Sequence, residues 1–214
     1  ANGDFIGYRG AASNITERKL HEAAEIDARE GAEAKFAIAR ILQESERPLA
    51  ERFDAALATI HNMRDLAVEQ KGGIFVLEEN ATELTLHLTC GSFSNRFLAE
   101  ERHLPLNRCL CGQAAASGEI IISDNCFEDH RHQNRQPDMS LHGHYIVPLM
   151  IGRECLGVLF LYTAPNPSRS AIRLQTLQQI GDLFPLAIAN DRPIRARLEA
   201  SERPEAASRA KSDF

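Results

Sequence analysis

The chain has 214 residues, 43% of them apolar, enough to bury one core of ordinary size with helical extensions. A formal charge of −6 and a pI near 5.8 weigh against nucleic acid or an anionic membrane surface as the main partner, because phosphates need a basic field; small molecules and proteins are the partners expected. No apolar run approaches the roughly 18 to 20 residues of a bilayer crossing, and the first residues lack the basic and apolar regions of a signal peptide. Five cysteines, two of them spaced Cys-X-Cys, suit a reducing compartment with metal or free thiols, so the segment is expected to be soluble and cytoplasmic.

Phe5, Ile6 and Tyr8 read as a strand that passes at Ser13 and Asn14 into a charged helical start. Gly7-Tyr8-Arg9-Gly10-Ala11, followed by Asn14-Ile15-Thr16-Glu17-Arg18-Lys19, resembles the last strand and exit of a PAS domain, with Asn14 where that family commonly has Asp. The resemblance makes residues 1–15 the remnant of such a domain and the chain a fragment of a longer protein. Residues 16–45 are rich in Ala, Glu, Lys and Arg, interrupted only by Gly31, and form a linker helix. Pro48 suits the first turn of a second helix, whose Leu49, Phe53, Leu57, Ile60, Met63 and Leu66 lie on one face as core or as a dimer seam.

Gly72-Gly73 is expected to break that helix before a short strand, Ile74 to Leu77. After a turn at residues 78–81, Leu84, Leu86 and Leu88 alternate with Thr85, His87 and Thr89, which predicts a hairpin with one buried face and His87 toward solvent. Cys90 and Cys155 read as small packing residues. Gln113 to Gly118 reads as a short helix closed by its glycine, Ile120 to Ile122 as a strand, and residues 123–140 as a polar loop. Tyr145 to Met150 and Leu156 to Tyr162 form a hairpin around Gly152, and Leu174, Leu177, Ile180, Leu183 and Ile188 mark a helix running up to Pro193.

The element order, the segment Gly112 to Gly118, the strand Ile120-Ile121-Ile122-Ser123-Asp124, and the pairing of Val147-Pro148-Leu149 with Leu156-Gly157-Val158-Leu159 resemble a GAF domain over residues 46–188. The resemblance implies an α/β (α+β) fold: an antiparallel sheet with helices packed on one face, flanked by long N- and C-terminal helices. Loops on the other face would close a pocket, which in that family takes cyclic nucleotides, tetrapyrroles, metals or other small ligands, and sometimes nothing. The Asn-Lys-Phe-Asp-Glu motif of cyclic-nucleotide binders and the Cys-His dipeptide of bilin binders are both absent. Residues 189–214 read as a charged helical linker whose Ala210-Lys211-Ser212-Asp213-Phe214 resembles the start of a histidine-kinase dimerisation domain. That resemblance implies a parent ATP-dependent protein-histidine kinase of a two-component system, a homodimer through the flanking helices, a downstream kinase domain and a response regulator. His21-Glu22, without the proline of a phosphoacceptor box, reads as a surface pair.

Between Leu106 and Tyr145 the chain concentrates Cys109, Cys111, Cys126, His130, His132, His142 and His144. Thiolates and imidazoles together are a ligand set for zinc or iron. The metal ligands expected are Cys109, Cys111, Cys126, His130, His142 and His144, with His132 ranked last and Tyr145 lining the pocket. Alternation pairs His142 with His144, and would pair Cys109 with Cys111 in an extended segment. The cofactor expected is an iron or zinc ion or an iron-containing group, and the function a sensor of metal or redox state. The alternatives are a thiol enzyme of the same fold, such as a methionine sulfoxide reductase using Cys109 or Cys111 with a nearby histidine, and a dimerisation spacer with an empty pocket.

Overall fold

The computed structural model describes residues 15–135 and 139–193; the strand expected over residues 4–14 and the helical stretch expected over 194–214 lie outside the described residues. Helix α1 (Ile15–Gln43) follows from its run of strong helix formers. Helix α2 (Leu49–His61) begins directly after Pro48 and buries Leu49, Phe53, Ala56, Leu57 and Ile60 at spacings of three and four. It stops at His61, short of the apolar stripe, so Met63 and Leu66 fill the core from a turn.

Strand β1 (Val68–Leu77) runs straight through Gly72 and Gly73, where a helix break was expected. The glycines serve close approach of neighbouring backbones: a Cβ at Gly72 would stand 2.6 Å from the Phe160 carbonyl oxygen, and one at Gly73 2.4 Å from that of Leu88. Strand β2 (Glu83–Cys90) pairs Leu88 with Ile74 and Leu86 with Phe75, so His87 is the extra residue of a β-bulge. Leu84 and Leu86 therefore join one core and Leu88 the other. His87 is not solvent-facing as alternation predicted; its half-buried ring packs edge-on against Phe53, centroids 5.4 Å apart.

Helix α3 (Asn95–Glu100) and strand β3 (His103–Pro105) lead to α4 (Cys109–Ser117), which ends on Gly118 in the left-handed conformation. Strands β4 (Ile121–Ser123), β5 (Gly143–Ile151) and β6 (Glu154–Thr163) follow, then α5 (Ala171–Gly181) and α6 (184–193). Pro185 explains the break between the last two helices: it lacks the amide hydrogen needed in a helix interior but fits a first turn.

The six strands form one antiparallel sheet in the order β3-β2-β1-β6-β5-β4. Both faces are covered. Tyr145, Val147, Leu159 and Leu161 pack with residues of α1, α2, α5 and α6, whereas Ile146, Val158, Phe160 and Tyr162 pack with α4. The GAF-type layout expected, a sheet with helices packed on it and helices at both flanks, is the layout found, with α4 against the pocket face. No helix among the described residues is long and apolar enough to cross a membrane.

Candidate metal centre

His142 and His144 stand at the start of β5 and point to the α4 side of the sheet, because residues two apart share a face. Gly143 between them packs tightly: a Cβ there would lie 2.7 Å from Thr163 Oγ1 and 2.8 Å from the Ser123 carbonyl oxygen. His132 arrives from the loop after β4. Asp129 organises that loop: its carboxylate accepts from the Arg131 amide at 3.0 Å and from the Arg131 guanidinium at 2.9 and 2.7 Å, while its carbonyl accepts the His132 amide at 3.0 Å. Arg131 also donates to the Ile122 carbonyl at 3.0 Å, which fastens the loop to β4.

Three buried imidazoles converge as a result. His142 Nε2 lies 2.9 Å from His144 Nε2, and His144 Nε2 lies 3.3 Å from His132 Nε2. Among the described residues, these three offer ligand atoms all within 4.8 Å of one another. His142 Nδ1 donates to the Ser140 carbonyl at 2.6 Å, leaving its Nε2 as a bare lone pair. Burial, then the charge of His142, holds His132 down to about 4. Burial likewise lowers His142 and drives His144 well below the ordinary imidazole value. All three are thus neutral at pH 7, the form that binds metal. An ion about 2.0–2.1 Å from each Nε2 in tetrahedral geometry would hold the nitrogens roughly 3.3 Å apart, so the 2.9 and 3.3 Å separations fit one ion. Tyr162, opposite His144 in the register, backs the site with its ring 4.4 Å from that of His142 and 4.5 Å from that of His144.

The expected ligands fall in different places. His142 and His144 belong to the cluster, and His132, ranked last, completes it. His130, two residues before His132 in the same loop, is exposed and does not join the cluster. Cys109 and Cys111 occupy the first turn of α4 rather than an extended loop. They line a cavity of about 40 Å³ that His132 and His144 also border, but they are not among the three converging groups. Burial pushes both thiols up, Cys111 furthest. Cys126 is fully buried and directs its sulfur to the Ser140 carbonyl at 3.6 Å. Tyr145 does not line the pocket: adjacent strand residues face opposite ways, so it enters the helix-side core and donates to the Ser168 carbonyl at 2.7 Å. The role of Asp129 and Arg131 was missed; their spacing of two in a turn was the available signal.

The GAF domain family model matches residues 46–189. No curated protein matches the chain. Among solved structures, a GAF domain from an Acinetobacter phosphoenolpyruvate-protein phosphotransferase is 19% identical, with 74% of this chain and 93% of that chain covered and a TM-score of 0.58. Free methionine-R-sulfoxide reductase from Neisseria meningitidis, solved in complex with its substrate, is 16% identical over 89% of this chain and 99% of that one, with a TM-score of 0.61. The A. aeolicus nlh2 GAF domain in an inactive state is 16% identical over 77% and 99%, at 0.60. At these identities the likeness shows the fold.

Proposed function

The chain belongs to the GAF domain family, and we propose from that premise that it is a sensory module whose pocket-side loops hold a metal ion on His132, His142 and His144. The observation that carries this reading is the meeting of three buried, neutral imidazole nitrogens at ligand-to-ligand distances. Uncharged imidazoles suit zinc, iron, copper or nickel, and three protein ligands leave a coordination position open. When bound, the ion supplies a charge and a coordination point; the protein supplies the geometry.

The route outward runs through β5. His144 faces the site, while its neighbours Tyr145 and Val147 face the helices, and a Cβ at Gly181 of α5 would stand 2.6 Å from Val147 Cγ1. A change at the histidines thus acts on the strand against which α5 is tightly packed. In the parent protein this would bias the flanking helices of a homodimer in the cytoplasm and, through them, a histidine kinase and its response regulator. The test is elemental analysis of freshly purified protein beside a His132→Ala, His144→Ala double variant. About one equivalent of metal per chain is expected in the first and a trace in the second; equal content in both sinks the assignment.

A second reading, a free methionine-R-sulfoxide reductase, draws on the Neisseria structure and on two cysteines at one cavity. The raised thiol values count against it, since the thiolate is the nucleophile. Turnover of methionine sulfoxide in the metal-free protein would decide for the enzyme.

A further inference from the structure

We infer that the ion selected by His132, His142 and His144 is copper in its monovalent state, held in preference to any divalent ion. This inference rests on the metal reading above and names the ion that the site takes.

The donors bring no negative charge. Among the described residues the three imidazoles converge without a carboxylate or a thiol beside them. Their outer nitrogens bring none either. His142 Nδ1 donates to the Ser140 carbonyl, a neutral acceptor, and the Nδ1 atoms of His132 and His144 meet no carboxylate, which would have strengthened the rings as donors to a highly charged ion. Glu101, on the wall of the adjoining cavity, accepts from Asn134 at 2.5 Å and is raised by burial toward its neutral form.

The surroundings penalise charge. His132, His142 and His144 are 7%, 3% and 3% exposed, so an ion held there gives up most of its water, and the cost of burying an ion grows as the square of its charge. Lys71 adds to that cost. Its ammonium lies 4.6 Å from the centre of the Tyr162 ring, which is itself 4.4 Å from the His142 ring and 4.5 Å from that of His144. The Phe93 ring, 4.7 Å from the same ammonium, helps to hold it there. Arg135 adds positive charge near His132. The carboxylates that oppose them are weakened: Glu69, near His142, is exposed, and Asp129, near His132, is committed to Arg131. Repulsion by Lys71 is twice as strong for a divalent ion as for a monovalent one. Among monovalent ions, imidazole nitrogens favour copper, whereas alkali ions take oxygen.

The test loads the whole chain anaerobically with cuprous ion and reads its affinity by competition with bathocuproine disulfonate. Cupric affinity and the potential of the bound couple are measured on the same protein. Cuprous ion should bind at least about a hundredfold more tightly than cupric, which places the bound couple about 120 mV above that of the free ions, and zinc in about tenfold excess should not displace it. X-ray absorption should show nitrogen ligands without sulfur. Copper should persist in a Cys109→Ser, Cys111→Ser variant and fall to a trace in the His132→Ala, His144→Ala variant. Lys71→Met should raise cuprous affinity a few-fold and cupric and zinc affinities by the square of that factor, which lowers the potential. A potential at or below that of the free ions, displacement by zinc, sulfur bound to the copper, or a potential unmoved by Lys71→Met overturns the inference, and the metal reading stands wherever the histidines still hold a stoichiometric ion. Histidines that hold no first-row metal overturn both.

Discussion

His132 reaches the other two imidazoles because Asp129 and Arg131 hold the turn beneath it. Replacing Asp129 by Asn removes the charge that Arg131 pairs with and loosens the ring, so metal affinity should fall about 10- to 100-fold, as it does when groups behind metal ligands are lost. Competition with a chromophoric chelator reads this directly. The Arg131 guanidinium holds the Asp129 carboxyl well below the usual carboxylate range. Because the folded value is depressed, the stabilisation is complete above the unfolded value near 3.8 and is lost as pH falls through the folded one. In acid titrations wild type should lose more stability than Asp129→Asn below about pH 4; parallel curves would show that the pair contributes nothing. The thiols make a separate prediction. Burial lifts Cys90 to about 11 and raises Cys109 and Cys111, so iodoacetamide should label all three slowly in the native protein at pH 8. Fast labelling of Cys109 alone would revive the reductase reading.

Between elements, Arg52 ties the two flanks of the domain together. Buried in α2, it donates to the Leu42 carbonyl at the end of α1 at 3.0 Å and to Asp191 in α6 at 3.1 Å. Removing one member of a buried pair leaves the other charged and poorly solvated, so Arg52→Ala should cost about 3–5 kcal/mol. A urea midpoint unchanged from wild type would refute this. At Gly181 helix α5 packs closely on β5, and Gly181→Ala forces a methyl into the space of Val147 Cγ1. Overpacking of this kind costs about 1–3 kcal/mol. The same variant should weaken any response of the helices to metal while leaving metal content intact.

At the scale of the molecule, an ion that binds only the folded chain stabilises it by mass action, by about 2.7 kcal/mol at a hundredfold excess over Kd. Calorimetry should therefore show Tm rising with added metal and falling with chelator in wild type, and neither shift in the His132→Ala, His144→Ala variant. On the sensory reading proposed above, the domain fused to a histidine-kinase core should give different autophosphorylation rates with metal bound and removed. A difference of a few kcal/mol between two helix arrangements is enough for a many-fold change; equal rates would leave a spacer. Light scattering at tens of micromolar should show a dimer formed through the flanking helices.

Periodicity and composition determined much by themselves. The helix formers of residues 16–45, the three- and four-residue spacing after Pro48, the Val147 and Leu156 hairpin, and the clustering of histidines near residue 140 are local properties, and each survives in the fold. Alternation alone put His142 and His144 on one face. The bulge at His87 was illegible because a single skipped residue in a ladder leaves no mark on an alternating pattern. The passage of β1 through two glycines depends on how closely Phe160 and Leu88 approach, which only the assembled sheet decides. Cysteine was weighted over histidine as a ligand because residue type is visible in a sequence and direction is not. The chain's tertiary path carried Cys109 and Cys111 to a cavity wall and Cys126 to a backbone carbonyl, while a turn pinned by Asp129 and Arg131 brought His132 across to the strand pair. Three nitrogens from two segments ten residues apart meet because loop and strand are held against the same face of one sheet, a condition set by packing over the whole domain.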